Sequence, residues 1–309
     1  MDIVCSIDNN YVQQCCCMLY SFLKNNKKGK HTVHLLSENL TVENQKTVRE
    51  VVEFHQGILL YYEVHSDKLA SCPIRANDHL TIATYYRLLI SDLLPRDLDK
   101  VLYLDCDIVI DGSLEEFWNI SIGGCALAAV DELNGCEQDV FERLEYKPEY
   151  GYFNAGVLLI NLKYWRDNDL ISVFFNYISL YSDKLTAHDQ DLLNALLHDK
   201  CRHVSQKWNV IEAFYHYYVI KQWRKQNERE MKSTLFHPVI LHYSWKPKPW
   251  EKGCRHPLRL KYFMYLNEIG SFSNHKLSFG DKLLAYYDEF YFRLLLKLGI
   301  KGHRFYKLA

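Results

Sequence analysis

Lys100–Leu104, KVLYL, is a strand signal that is apolar almost throughout, and such a strand needs both of its faces covered. It comes after a series of alternating signals. Residues 3–7, 32–36 and 58–64 predict strands, and Val12, Cys15, Cys16, Leu19, Phe22 and Leu23 recur at helical spacing after the first of them. A second helix is expected over Val42–Phe54, capped by Thr41, and a third over residues 82–94, stopped by Pro95. Further strands are expected at residues 126–130, 156–160 and 239–242. Strands alternating with helices specify an α/β fold with a central sheet. A chain of 309 residues with 48% hydrophobic content can bury a large core in one large domain or two smaller ones.

Several function classes are excluded early. Lys and Arg number 37 against 38 Asp and Glu, so no global basic field points to nucleic acid. The start, Met1-Asp2-Ile3-Val4, lacks the basic and apolar stretches of a signal peptide, and nowhere do 18 apolar residues run without a charge. A cytoplasmic protein is expected. GxGxxG, GxxxxGK[ST], HExxH and GxSxG are all absent, which removes the local chemistry of dinucleotide enzymes, P-loop NTPases, zincins and α/β-hydrolases. The ten cysteines form no CxxC pair, and their scatter predicts reduced thiols rather than a disulfide framework or a zinc site.

The sharpest chemical feature is Asp105-Cys106-Asp107, directly after KVLYL. Ligands of open α/β sheets bind beyond the carboxyl ends of strands. Two carboxylates there can hold a hard divalent cation such as Mg2+ or Mn2+, or can simply form a polar strand end. His242 closes a predicted strand and could complete a metal site. Lys248, six residues on and flanked by Pro247 and Pro249, could place an ammonium on a phosphate. A proline-rich turn beside a core histidine fits the same residues. Asn154 and Gly156 suit a pocket where sugar hydroxyls approach backbone, or a strand-entry turn. His188-Asp189-Gln190-Asp191 opens a helix, where acids are also ordinary caps. Asp8 and Asn10 could bind a nucleobase or ribose, or cap the next helix.

Six segments in order, DIVCSIDNNY, HLTIATYYRLLI, KVLYLDCDIVI, YFNAGVLLINLKYW, HDQDLLN and HYSWKPKPW, resemble glycosyltransferase family 8 over roughly residues 1–265. The likeness is nearest to its bacterial lipopolysaccharide galactosyl- and glucosyltransferases. The resemblance implies a GT-A fold, Rossmann-like with a mixed central sheet, over residues 1–270, followed by a C-terminal tail over 271–309. It implies a retaining enzyme that moves galactose or glucose from a UDP-sugar to a glycan, lipopolysaccharide or another cell-surface glycan, with Mn2+ or Mg2+ as cofactor. Asp105, Asp107 and His242 match the metal ligands. Asp8, Asn10, Arg87 and Lys248 match positions that hold the uridine diphosphate; Ser6, His79, Thr84 and Cys106 fall in the same pocket. Asn154, Asp189 and Gln190 match residues around the transferred sugar, and Asp131 falls where the acceptor is held. Trp245 stands where the family pattern has glycine, which leaves a catalytically altered protein as one alternative. A sugar-nucleotide processing enzyme is another, although its glycine-rich phosphate loop is missing.

Gln190 is a neutral amide and a poor nucleophile. Front-face substitution is therefore favoured over a double displacement, with Gln190 and Asp189 orienting the sugar. In the tail, Leu283, Tyr287, Phe290, Tyr291, Leu294 and Leu298 fall on one predicted helical face. Arg293, Lys297, Lys301, Arg304 and Lys307 follow Glu289 with no further acid. That pattern suits peripheral contact with an anionic membrane beside a lipid-linked acceptor, or packing on the catalytic domain.

Overall fold

In the computed structural model, which describes residues 1–74, 81–132, 138–215, 233–235, 237–272 and 277–298, the seven predicted strands, joined by three short unpredicted ones at residues 108–110, 201–203 and 210–211, assemble into two sheets. The strands are β1 Asp2–Ser6, β2 Thr32–Ser37, β3 Ile58–Glu63, β4 Lys100–Leu104, β5 Ile108–Ile110, β6 Leu127–Asp131, β7 Phe153–Asn161, β8 Cys201–His203, β9 Val210–Ile211 and β10 Ile240–His242. A seven-stranded sheet has the order β3-β2-β1-β4-β7-β6-β8, and a three-stranded one the order β5-β10-β9. The large sheet is mixed: β1, β2, β3 and β4 run parallel, while β7 lies antiparallel to both β4 and β6. The helices are α1 Val12–Asn25, α2 Val42–Phe54, α3 Ile90–Leu93, α4 Glu115–Trp118, α5 Gln138–Leu144, α6 Leu162–Asp167, α7 Leu170–Tyr181, α8 His188–Leu197, α9 Arg259–Leu266 and α10 Phe279–Leu298.

Covering the sheet on both faces is what KVLYL demanded. Val101 and Tyr103 point into one core cluster, Leu102 and Leu104 into another. Helix α1 is buried on nearly every side, including Cys15, Cys16 and Cys17, so it behaves as a core helix rather than a surface one. Thr41 caps α2 as expected, its Oγ1 accepting from the Asn44 backbone N–H at 3.2 Å.

Residues 82–94 depart from the expected single α-helix. Ile82–Leu89 winds as a 3-10 helix, and only Ile90–Leu93 is α-helical. Side chains three apart eclipse in a 3-10 helix. Thr84 and Arg87 therefore project in the same direction, toward one acid.

The segment leading into β4 is fastened from α6. The Arg166 guanidinium donates to the carbonyls of Ser91, Leu94, Pro95, Arg96 and Leu98 at 2.8 to 3.2 Å. These carbonyls lie at a helix end and the turn after it, where backbone donors run short; that of Pro95 also accepts from the Leu98 N–H at 3.1 Å.

Helix α10 packs on the rest of the chain with one face, as one of the two expectations for the tail had it, and leaves the other face exposed. One face docks through buried Ala285, Phe292 and Leu295, and Asp288 accepts both Nε and Nη2 of Arg255 at 2.7 and 2.6 Å. The other face leaves Leu283, Tyr287, Phe290, Leu294 and Leu298 exposed, with Tyr291 half-buried. Lys301, Arg304 and Lys307 lie outside the described residues.

Arg166→Met should lower stability by about 2 kcal/mol, because charged donors to five carbonyls are lost at a partly exposed site. Urea unfolding checks this. A midpoint equal to wild type would show that the turn holds itself.

Candidate active site

Asp105-Cys106-Asp107 is the link by which the chain leaves β4 in the large sheet and enters β5 in the small one. Each acid is pinned by the ladder of a different sheet. The Asp105 N–H donates to the Gly156 carbonyl at 2.8 Å, continuing the β4–β7 ladder past Leu104. The Asp107 carbonyl accepts from the Tyr243 N–H at 3.0 Å, and the β5–β10 register sets His242 opposite Ile108. These registers bring carboxylate oxygens of Asp105 and Asp107 and a ring nitrogen of His242 within 4.8 Å of one another.

Gly156 makes that approach possible. A Cβ at this position would press on His242 Cε1 and lie 2.7 Å from Asp105 Oδ2. Its small size serves the metal-site residues directly, which is more specific than the sugar-pocket role read from the sequence.

Two nearby carboxylates need neutralising charge. Asp105 Oδ1 accepts from Arg87 Nη2 at 2.9 Å and from the Tyr103 hydroxyl at 2.8 Å. Asp107 lies 2.7 Å from Lys248 Nζ and 3.3 Å from His242 Nε2. Burial alone would raise the Asp107 pKa, but the Lys248 ammonium and His242 hold it well below the usual carboxylate range. Burial would likewise depress His242, yet Asp107 beside it leaves its pKa raised. Oxygen and imidazole donors on converging elements, with a glycine where a side chain would intrude, fit a hard divalent cation.

A buried polar chain runs away from His242. Its Nδ1 meets Asn209 Oδ1 at 2.9 Å, which in the neutral ring leaves Nε2 for a ligand role. Asn209 Nδ2 donates to Asn154 Oδ1 at 2.8 Å, and Asn154 Nδ2 to Glu132 Oε2 at 2.8 Å. Asn154 thus ties His242 to the part of the cavity wall that Asp189 and Gln190 also line.

On that side Asp189 is buried, and burial raises its pKa. Thr84 Oγ1 donates to Asp189 Oδ1 at 2.6 Å, and Arg87 Nε lies 2.9 Å from Asp189 Oδ2. This is the acid at which the eclipsed pair aims. Gln190 Oε1 accepts from the Ala155 N–H at 2.9 Å. Asp191, two residues on, is a fastener instead: Arg143, Tyr152, Thr186 and the Ala187 N–H all bond its carboxylate.

A cavity of about 320 Å³ joins these groups, lined by Ser6, Asp8, Thr84, Arg87, Asp105, Cys106, Asp107, Asn154, Asp189, Gln190, His242 and Lys248. Three expected residues stand apart. Asn10 is exposed, its N–H held by Asp8 Oδ1 at 2.8 Å, and it does not line the cavity. Asp131 ends β6 outside the lining, its Oδ1 2.5 Å from His203 Nδ1, a contact that raises the His203 pKa. His79 lies outside the described residues. Arg87 was expected to serve the diphosphate; its donors are engaged by Asp105, Asp189, and the carbonyls of Ala155 at 2.5 Å and Thr84 at 3.1 Å. Trp245 is half-buried against the main core, and Ser244 and Lys248 line the cavity from its loop. The indole therefore does not occupy the phosphate approach.

Sequence reasoning missed Tyr103, Asn209 and Glu132. Tyr103 carried a usable signal, since a hydroxyl in an otherwise apolar strand needs a partner. Asn209 and Glu132 carried none, because their roles arise from pairings across the chain.

Comparison with known proteins gives one consistent result. The family model described as glycosyl transferase family 8 matches residues 2–254. The chain is 30% identical over 273 residues to a lipopolysaccharide 1,2-glucosyltransferase of Escherichia coli, covering 87% of this chain and 78% of that one. It is 26% identical over 275 residues to general stress protein A of Bacillus subtilis (strain 168), covering 86% and 93%. Its fold is similar to that of the galactosyltransferase LgtC in complex with donor and acceptor sugar analogues, with a TM-score of 0.78 and 25% identity over 92% of this chain and all of the other. The expected GT-A fold is borne out by that likeness.

Gly156→Ala should weaken divalent-cation binding by about ten- to a hundredfold, the usual effect of disturbing the support of metal ligands. Titration calorimetry with Mn2+, alongside circular dichroism, is the check. Unaltered Mn2+ affinity would mean that His242 and Asp105 do not need the space.

Proposed function

The chain belongs to glycosyl transferase family 8, and on that premise we propose that it is a retaining hexosyltransferase moving galactose or glucose from a UDP-sugar onto a glycan acceptor. The observation that carries this reading is the convergence of Asp105, Asp107 and His242 on one point of the cavity wall. The acceptor we propose is lipopolysaccharide or another cell-surface glycan, with Mn2+ as the preferred cation and Mg2+ as a substitute.

Breaking the bond between sugar and diphosphate builds positive charge at the anomeric carbon and negative charge on the leaving oxygens. A divalent cation held by Asp105, Asp107 and His242 would supply Lewis-acid neutralisation of the diphosphate. Lys248 adds an ammonium on the same cavity wall and needs no change of protonation to serve phosphate oxygens. Ser6 and Asp8 line the β1 end of the cavity, where a nucleoside would lie. Arg87 acts at one remove, holding Asp105 and Asp189 in place together. Gln190 directs its carbonyl oxygen at the Ala155 N–H, so its one basic atom is committed to backbone. Asp189 is committed to Arg87 and Thr84. Neither is poised as a nucleophile, which supports front-face substitution, with a leaving oxygen taking the acceptor proton. Asp131, paired with His203 beyond the cavity lining, is the residue we assign to an acceptor hydroxyl.

The exposed aromatic and leucine stripe of α10 supports peripheral contact with an anionic membrane, and so a cytoplasmic enzyme acting at its inner face. No helix among the described residues is long and apolar enough to cross a membrane.

Incubation with UDP-glucose or UDP-galactose and Mn2+ should release UDP slowly into water. Asp107→Ala or excess chelator should reduce release on the order of a thousandfold, with Mn2+ restoring only the wild type. Full activity in chelator would refute the metal assignment. For the membrane claim, replacing Phe290 and Leu294 with serine avoids the docked face of α10. Weaker binding to anionic vesicles, with near-normal turnover on a small soluble acceptor, is the expected result. Unchanged vesicle binding would end that claim.

A further inference from the structure

Scattered in sequence, Cys5, Cys15 and Cys106 meet in space. They come from β1, from the first turns of α1 and from the link between Asp105 and Asp107, and all three are buried. Their sulfurs lie within 4.8 Å of one another, with Cys5 and Cys15 3.8 Å apart. Two sulfurs on a tetrahedral zinc ion at about 2.3 Å from each would lie about 3.8 Å apart. The Cys5–Cys15 pair already has that span, and Cys106 Sγ, within 4.8 Å of both, needs at most a small side-chain shift to join them. Cys106 also lines the donor cavity, which gives a cation a way in.

We propose that Cys5, Cys15 and Cys106 form a second cation site, for a thiophilic ion of the Zn2+, Cd2+ or Cu+ class, directly beneath the loop that carries Asp105 and Asp107. Soft sulfur ligands select such ions, while the carboxylate and imidazole set above them suits Mn2+ or Mg2+. The two sites share one short stretch of backbone. Each thiol that coordinates gives its proton to the buffer, and no oxidant is required. An ion on Cys106 anchors the peptide between the two acids to β1 and α1. That removes the small adjustment the acids need when they engage a hard cation and a diphosphate. Occupancy of the lower site therefore depresses transfer. This effect rests on the proposed transferase reading, whereas the binding itself does not.

The test uses the full chain, prepared reduced and metal-free, with Mg2+ saturating the carboxylate site. One equivalent of Cd2+ should give a sulfur-to-metal charge-transfer absorption, and X-ray absorption on the wild type should report about three sulfur neighbours. Cys15→Ala should lose the absorption while keeping its own turnover. UDP release by the wild type should fall on the order of tenfold or more with one equivalent of Cd2+ and recover on adding a dithiol chelator. Cys15→Ala should be insensitive to the same dose. An absorption edge showing only oxygen and nitrogen neighbours would overturn the site even if Cys15→Ala fails to fold. A saturated sulfur signal with unchanged UDP release, in an enzyme that otherwise turns over, would overturn the coupling between the sites.

Discussion

Asp105 and Asp107 are one residue apart in a pocket that takes most of their surface out of water. At such separations, and with less water to screen it, their mutual repulsion amounts to several kcal/mol. Much of the architecture around them answers that repulsion. Arg87 is drawn out of solvent to bridge Asp105 and Asp189. Lys248 is folded inward onto Asp107 by a loop that also turns its ammonium to the Tyr243 carbonyl at 2.5 Å. Removing either cation would leave a carboxylate with its lesser partner alone, Tyr103 for Asp105 or His242 for Asp107, which is the costly half of a broken ion pair. The same cationic setting suits the metal ion and diphosphate proposed for this site. Charges already neutralised in pairs can be exchanged for ligand charges without exposing either acid to an apolar wall.

What the sequence made legible follows from locality. Strands and helices whose patterning is carried by neighbouring residues appear where expected, as with KVLYL and the Thr41-capped helix. The acidic pair, the strand-ending histidine and the lysine six residues beyond it could be singled out because each sits at a predictable element boundary. The 3-10 winding of Ile82–Leu89 was not legible. Its spacing of apolar residues also satisfies an α-helix, and the bond from Thr84 to Asp189 that accompanies the tighter turn spans 105 residues, beyond any local pattern. The same holds for Asn209 and Glu132, whose bonds cross more than one strand, and for the three cysteines, whose meeting depends on how α1 lies against the sheet. Arg87 could be singled out as a cavity residue, but a sequence cannot reveal that carboxylates and carbonyls engage its donors.

Helix α10 shows why the two expectations for the tail were not exclusive. Its sequence carries more apolar residues than one helical face can hold. Phe292, Ala285 and Leu295 go to the catalytic body, and the Arg255 pairing with Asp288 sets the rotation of the helix about its axis. That rotation turns Leu283, Tyr287, Phe290, Leu294 and Leu298 outward together. One ion pair thereby decides which surplus residues face away.

The link between the two sheets has a consequence for the order in which the molecule can be built. Lys248 lies 141 residues beyond Asp107. During synthesis the strands through β4 can pair as soon as they emerge. The small sheet must wait for β10, because β5 touches only strands that come much later in the chain. Over that interval Asp107 has neither His242 nor Lys248 beside it, and the link is tethered at one end alone. A chain released early keeps most of the nucleotide half but lacks the cationic wall. Long-range closure of this kind is slow compared with local helix formation. The cluster of Asp105, Asp107 and His242 therefore cannot take its shape until β10 has been made and has paired with β5.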